Sequence, residues 1–438
     1  MRITRILLLA GLGLFMSVTA RAQFLMDMID TSTSLGKGMI SIYKKFDHLR
    51  ISGYMQPQFQ YASHKGIDSY SGGDFGSQSD NRFMLRRGRV RFDYAHFNKR
   101  NLPTVQFVFQ FDGTERGVNI RDFWGRVFDG QWDIMALTMG MFARPFGYEV
   151  NLSSGDREAP ERGRMSQILM RSERDMGGML TFEPRALDHP LHWLKMDVGL
   201  FNGQGLSGPA DFDSHKDLIA RVAMKPTKLG IGGWKLSAGA SILYGGMEQF
   251  TPEIYQMEDG KPAFRRDSAA ANIGRIAPRH YYGGDAQLVI PNRKGLTQFR
   301  AEYIRGVQTA THLDTETPGV VPLRSAGFAP LYIRDFDGAY LSFLQHLGSE
   351  KHQLVLKYDW YDPNTKVKGR QIGSPLATSL SKADIRFDTF GFGYVYYFNE
   401  NMKATFWFDR VWNEATALEE FADDIPDNVF TARLQYRF

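Results

Sequence analysis

The chain has 438 residues, a formal charge of +5, no cysteine, 44 glycines, 33 phenylalanines and 19 tyrosines. The missing cysteine excludes disulfides, thiolate metal centres and cysteine nucleophiles, and no set of apolar runs of ~20 residues exists to build a helical membrane bundle. Abundant aromatics and glycine favour strands and turns, while the positive charge raises nucleic acid or another anion as a partner.

The first residues read as a cleaved secretory signal. Arg2 and Arg5 form the basic region, Ile6 to Phe15 the apolar core, and Ala20-Arg21-Ala22 the small-x-small site, so residues 1–22 are expected to leave and Gln23 to begin the mature chain. Losing Arg2, Arg5 and Arg21 takes the charge from +5 to +2, which argues against nucleic acid. Residues 23–47 carry Met26, Met28, Met39, Ile40, Ile42 and Tyr43 with Lys44 and Lys45. They read either as a short amphipathic helix on the periplasmic side or as an unstructured leader.

From residue 48 to 438 one pattern recurs: alternation with period two over about ten residues, the mark of a two-faced strand. In 49–61, Leu49, Ile51, Met55, Pro57, Phe59 and Tyr61 oppose Arg50, Ser52, Gln56, Gln58 and Gln60. In 85–95, Val90, Phe92 and Tyr94 oppose Arg87, Arg89, Arg91 and Asp93, and in 102–112, Val105, Phe107, Phe109 and Phe111 oppose Gln106, Gln110 and Asp112. Weaker copies are expected at 118–128, 133–142, 176–183, 194–201, 217–225, 234–244, 280–289, 296–305, 336–346, 352–361, 385–398, 402–411 and 428–438.

The connections alternate in length. Short ones fall at 96–101, 129–132, 184–193, 226–233, 290–295, 347–351 and 399–401. The other set is 62–84, 113–117, 143–175, 202–216, 245–279, 306–335, 362–384 and 412–427, with 113–117 its one brief member. Short periplasmic turns alternating with long outer loops define a transmembrane antiparallel β-barrel of the bacterial outer membrane. A soluble β-sandwich also alternates. The amphipathic last strand, with Leu434, Tyr436 and terminal Phe438 against Arg433, Gln435 and Arg437, favours the barrel, because it resembles the signal read by barrel-assembly machinery. Phe59, Tyr61, Phe92, Tyr94, Tyr396, Phe398, Phe406, Phe408 and Tyr436 are candidates for its aromatic girdle. The expected fold is therefore all-β, a sixteen-stranded barrel over 48–438.

Residues 82–100 concentrate cations: Arg82, Arg86, Arg87, Arg89, Arg91, Lys99 and Arg100 against Asp93 alone. Arg87, Arg89 and Arg91 share a parity opposite to Val90 and Phe92, which puts them on the lumenal side, since a mid-depth charge facing lipid costs ~2–4 kcal/mol. With Arg50 on the polar face of the first strand, they form a candidate anion pathway, because a guanidinium stays charged and matches oxyanions. The competing reading is a structural network with wall carboxylates such as Asp93. Parity assigns no facing to Arg121 and Arg126.

Arg86-Arg87-Gly88-Arg89-Val90-Arg91, the run from Gly140 to Glu149 (GMFARPFGYE), Phe201-Asn202-Gly203, the run from Lys357 to Pro363 and Arg433-Leu434-Gln435-Tyr436 together resemble the phosphate-selective porin O and P family. The resemblance implies sixteen strands, a homotrimer, anion-favouring passive diffusion and a third loop folded inward to narrow the pore. That loop, 143–175, holds Arg144, Arg157, Arg162, Arg164, Arg171 and Arg174 against Glu149, Asp156, Glu158, Glu161, Glu173 and Asp175. Arg157, Arg162, Arg164, Glu158 and Glu161 are its candidate constriction residues. The balance of sign suits a transverse field as well as an anion trap.

No HExxH, GxSxG or phosphate-cradling glycine loop occurs, so no enzyme and no cofactor is expected. Asp211, Asp213 and His215, and Glu419, Glu420, Asp423 and Asp424, are loop clusters for solvation or for divalent bridging to lipopolysaccharide. The expected function is a porin giving passive diffusion of small hydrophilic solutes and favouring anions such as phosphate, with outer-membrane lipid and lipopolysaccharide around it. A carbohydrate channel and a plugged barrel that displays its loops for surface binding or adhesion are the alternatives.

Overall fold

The computed structural model describes residues 48–99, 102–206, 210–230, 232–325, 327–375 and 379–438. The expected signal at 1–22, the segment 23–47 and Arg100 lie outside the described residues. Residues 51–438 form one compact unit.

Sixteen strands build the wall: β1 (Leu49–Ala62), β2 (Asn81–Phe97), β3 (Pro103–Thr114), β4 (Gly117–Phe128), β5 (Met135–Ala143), β6 (Arg174–Phe182), β7 (Leu194–Phe201), β8 (Asp217–Lys228), β9 (Lys235–Glu248), β10 (Ile276–Asn292), β11 (Gly295–Ala310), β12 (Leu331–His346), β13 (His352–Asp362), β14 (Phe387–Asn399), β15 (Met402–Asn413) and β16 (Val429–Arg437). Each pairs antiparallel with its neighbours, and β16 returns to β1, with Gln58 opposite Arg433 and Tyr61 opposite Phe430. This closure separates a barrel from a sandwich: no edge is left, so every backbone amide of the wall has a partner without water.

The period-two pattern sorts the side chains. Met55, Phe107, Phe109, Leu137, Leu180, Leu200, Phe299, Leu341, Phe392 and Phe406 stand exposed on the outer face. Gln56, Gln58, Gln60, Thr431, Arg433 and Gln435 are buried inside. A polar interior within an apolar exterior is the reverse of a soluble protein, and it makes this wall a membrane-spanning barrel of the bacterial outer membrane. Rings pair across strands on the outer face, as in Phe109 with Phe123 and Phe392 with Phe408.

A bulge in β4 breaks the pattern. Gln110 pairs with Asp122 but Phe111 with Ile120, so Arg121 is an extra residue in β4. The shift turns both Arg121 and Asp122 inward, where they meet Glu173 and Arg174; Arg126, also inward, donates to Thr138. This supplies the facing that parity left open. In β2, Arg86 and Arg87 are consecutive, yet both reach one lumenal carboxylate, Glu161.

The loop after β5, residues 144–173, turns into the barrel and carries the short helix α1 (Arg164–Leu169). Phe146, Val150, Met165, Ile168, Leu169 and Met170 from this segment form a core with the inward residues Phe201, Ile219, Leu243, Tyr281, Ile304, Phe336 and Tyr361. The loop is thus anchored by apolar burial against the far wall, at about 25 cal/mol per Å². Two outer connections hold more structure than expected. Within the loop after β9, 254–257 pairs with 264–267, and 254–256 runs parallel to the start of β12. A second apolar cluster joins Met257 and Phe264 to Val367, Ile372, Leu380 and Ile385.

Candidate functional site

The inward loop is held at its lowest stretch, 154–161, by side chains from β1, β11, β15 and β16. Gln56 donates to the Ser154 carbonyl at 2.9 Å, Gln435 to the Gly155 carbonyl at 2.9 Å, and Lys403 Nζ to the Arg157 carbonyl at 2.8 Å. Arg300 pairs with Glu158 at 2.8 Å. These contacts satisfy loop carbonyls that have no strand partner inside the barrel.

Glu161 is the hub. Its carboxylate accepts from Arg86 Nε at 3.0 Å, from Arg87 Nη2 at 2.6 Å and from Arg433 Nη2 at 2.8 Å. Arg433 also donates to the Pro160 carbonyl at 2.7 Å and to Gln58. Burial alone raises the carboxyl's pKa; Arg86, Arg87 and Arg433 overcome that and hold it well below the ordinary carboxylate range. Three guanidinia on one carboxylate leave an excess of two positive charges.

Arg157 adds a third. It is 4% exposed, and among the described residues nothing accepts a hydrogen bond from any of its three guanidinium nitrogens. Burial, and then the neighbouring charge of Arg87, press its pKa down to about 10, so it remains a cation at neutral pH. A buried guanidinium with five unused N–H donors is an attraction for an oxyanion or for water.

The remaining sequence-stated candidates fall in distinct places. Arg89 is buried and committed: Nε donates to Asp112 at 2.9 Å and Nη1 to the Tyr54 hydroxyl at 2.7 Å. Arg91, about one-third exposed, pairs with Asp93 at 2.7 Å. Arg50 lies at the start of β1, exposed, and is not brought to the cluster. Arg162 pairs with Glu173 and donates to the carbonyls of Glu149 and Val150, so it braces the loop. Glu149 in turn takes Lys357, Ser166 Oγ at 2.6 Å and the Gly163 amide. The Arg164 guanidinium lies 3.7 Å from the Phe387 ring centroid.

Sequence reasoning missed two members of the hub. Arg86 was hidden by its parity, although an Arg-Arg pair on one strand was itself a sign that the alternation breaks there. Arg433 was read on the polar face, but its place beside Gln58 follows only from joining the last strand to the first. Of the loop clusters, Asp211 takes Lys216 and Asp424 takes Arg410; no group of three or more acids or histidines among the described residues is arranged to hold a metal ion.

No family model matches the chain, and no curated protein matches it by sequence. Solved structures do. An anion-selective porin from Comamonas acidovorans superposes with a TM-score of 0.51 at 11% identity, over 89% of this chain and 99% of that one. OmpT of Vibrio cholerae lacking loop L8, an outer membrane protein, gives 0.47 at 11% identity, over 89% and 99%. At this identity the likeness is one of fold, that of an outer-membrane porin barrel.

Proposed function

We propose that this chain is an outer-membrane porin that passes small hydrophilic solutes by diffusion and favours anions. The observation that carries the reading is the charge at the inward loop, where Arg86, Arg87, Arg433 and Arg157 surround the single carboxylate of Glu161. A surplus of fixed guanidinium charge in a low-dielectric constriction lowers the energy of an anion there and raises that of a cation. Arg87, Arg89 and Arg91 extend the stripe along the wall; with Arg87 and Arg89 neutralised by carboxylates, Arg157 contributes the uncommitted charge. Phosphate as the physiological anion, and a homotrimer, rest on the resemblance to the phosphate-selective porins and enter here as parts of the same proposal. The removal of residues 1–22 during export belongs to it too.

A second reading is favoured by the apolar core that the inward loop forms with the wall: a barrel too filled to conduct, displaying its outer loops. Planar-bilayer recording of the purified protein separates the two. Open-channel steps with a reversal potential on the chloride side in a potassium chloride gradient are expected. Protein that inserts and passes no current would overturn the porin reading, and cation preference would overturn the anion one.

A further inference from the structure

Beside the Glu161 hub, whose carboxylate lines it, a cleft lies between α1, the loop 63–80 and strands β13 to β15, with about 30 Å³ of cavity volume. Its charges are mixed. Glu161, Asp359, Asp409 and Asp427 line it, with Arg162, Arg164, Lys357, Tyr70 and Trp407.

Three of the four acids are accounted for, Glu161 by the arginines of the hub. Asp409 accepts from Ser71 Oγ at 2.6 Å and from Trp407 Nε1 at 2.6 Å. Asp359 accepts the Arg164 backbone amide at 3.2 Å. Asp427 is different: it is 4% exposed, and its Oδ1 has no donor among the described residues. An unpaired buried carboxylate oxygen is costly unless a ligand or water completes it.

Arg164 is in the complementary condition. Its Nε has no acceptor among the described residues, and its Nη2 lies 3.8 Å from Asp427 Oδ2, an ion contact too long for a hydrogen bond. The rings of Phe387 and Tyr70, with centroids at 3.7 and 4.6 Å, hold the guanidinium instead. Aromatic contact fixes the plane of the fork while leaving N–H groups for a carboxylate.

We propose that this cleft binds a small zwitterion, with its ammonium on Asp427 and its carboxylate on Arg164. The charge pattern selects for the dipole. A simple anion meets four carboxylates, and a simple cation meets Arg162, Arg164 and Lys357; a molecule with both ends satisfies the unpaired acceptor and the unpaired donor together. Such a solute is held beside the hub, against Glu161. The site is independent of whether the barrel conducts.

Isothermal titration of the full-length protein in detergent micelles tests this, with glycine as the probe and acetate, methylammonium and glucose at matched concentrations as comparisons. Saturable glycine heat is expected, with at least tenfold weaker binding of each comparison solute and at least tenfold weaker glycine binding in Asp427→Asn. Arg164→Lys keeps the charge but loses the fork and is expected to weaken glycine about tenfold; it serves as the second variant if Asp427→Asn fails to fold. No saturable glycine heat, methylammonium or glucose binding as tight as glycine, or unchanged affinity in a folded variant overturns the proposal. Bilayer recording with added glycine distinguishes the two readings: glycine heat in a protein that passes no current overturns the porin function and leaves the site standing, whereas chloride current without glycine binding does the reverse.

Discussion

Replacing Glu161 by Gln keeps the volume and removes the charge that Arg86, Arg87 and Arg433 share at 3.0, 2.6 and 2.8 Å. With an effective dielectric constant of ~20, each pair of unit charges about 4 Å apart is worth roughly 4 kcal/mol of attraction, before desolvation is subtracted. Desolvating four ionised groups cancels much of that sum, and removing one member of a buried pair costs about 3–5 kcal/mol in practice. Arg87, Arg433 and Glu161 are all buried, so Glu161→Gln is expected to lose about 3–5 kcal/mol. Urea unfolding in lipid vesicles, followed by tryptophan fluorescence, measures it. Arg171→Gln is the control, because Arg171 is 56% exposed in its pair with Glu316, and such a pair contributes about 0–1 kcal/mol. A loss in Glu161→Gln no larger than the control's would refute the view that this carboxylate locks the loop to the wall.

The pH dependence follows from the same group. The folded carboxyl is held well below its ordinary value, so its contribution is complete above the unfolded-state pKa and is lost as pH falls toward the folded one. The stability gap between wild type and Glu161→Gln is expected to stay constant from pH 8 to about 5 and to shrink below roughly pH 4; a gap already closing at pH 6 would contradict it. Arg157→Gln removes a cation with no acceptor. It is expected to lower anion permeability about fourfold and raise cation permeability by a similar factor, moving their ratio roughly 16-fold, from ~0.8 kcal/mol per ion for a unit charge roughly 5 Å away in water. It should also leave stability unchanged or higher, since an unpaired buried charge is removed; reversal potentials and urea melts read the two effects. Phe146→Ala, at a fully buried ring packed edge-on to Tyr281, is expected to cost about 3–5 kcal/mol, and an unaltered melting curve would show that the apolar core does not anchor the loop.

The strands were legible because lipid on one side and water on the other impose a period of two, and the expected positions of all sixteen overlap those found. What escaped was local and non-periodic. A bulge at Arg121 adds one residue and reverses every facing beyond it, and no propensity marks where it falls. The hairpin 254–267 lies in a loop free of membrane, where alternation is not enforced. The inward loop had been weighed by its charges, yet Met165, Ile168 and Leu169 stand at helical spacing, and with Phe146 and Val150 they were the sign of a buried segment.

Counting charge was the least informative reading of that loop, for a physical reason. Its six cations and six acids balance in sequence, but the loop does not neutralise itself. Glu158 is taken by Arg300 of β11, Glu149 by Lys357 of β13, and Glu161 by Arg86 and Arg87 of β2 and Arg433 of β16. Of its own pairs, Arg162 with Glu173 and Arg174 with Glu173 spend two cations on one acid that also takes Arg121. Once the wall has claimed the loop's carboxylates, Arg157 has no hydrogen-bonding partner left among the described residues. A segment neutral along the chain therefore becomes positive in space, and the sign of a constriction is set by which wall residues reach it rather than by its own composition.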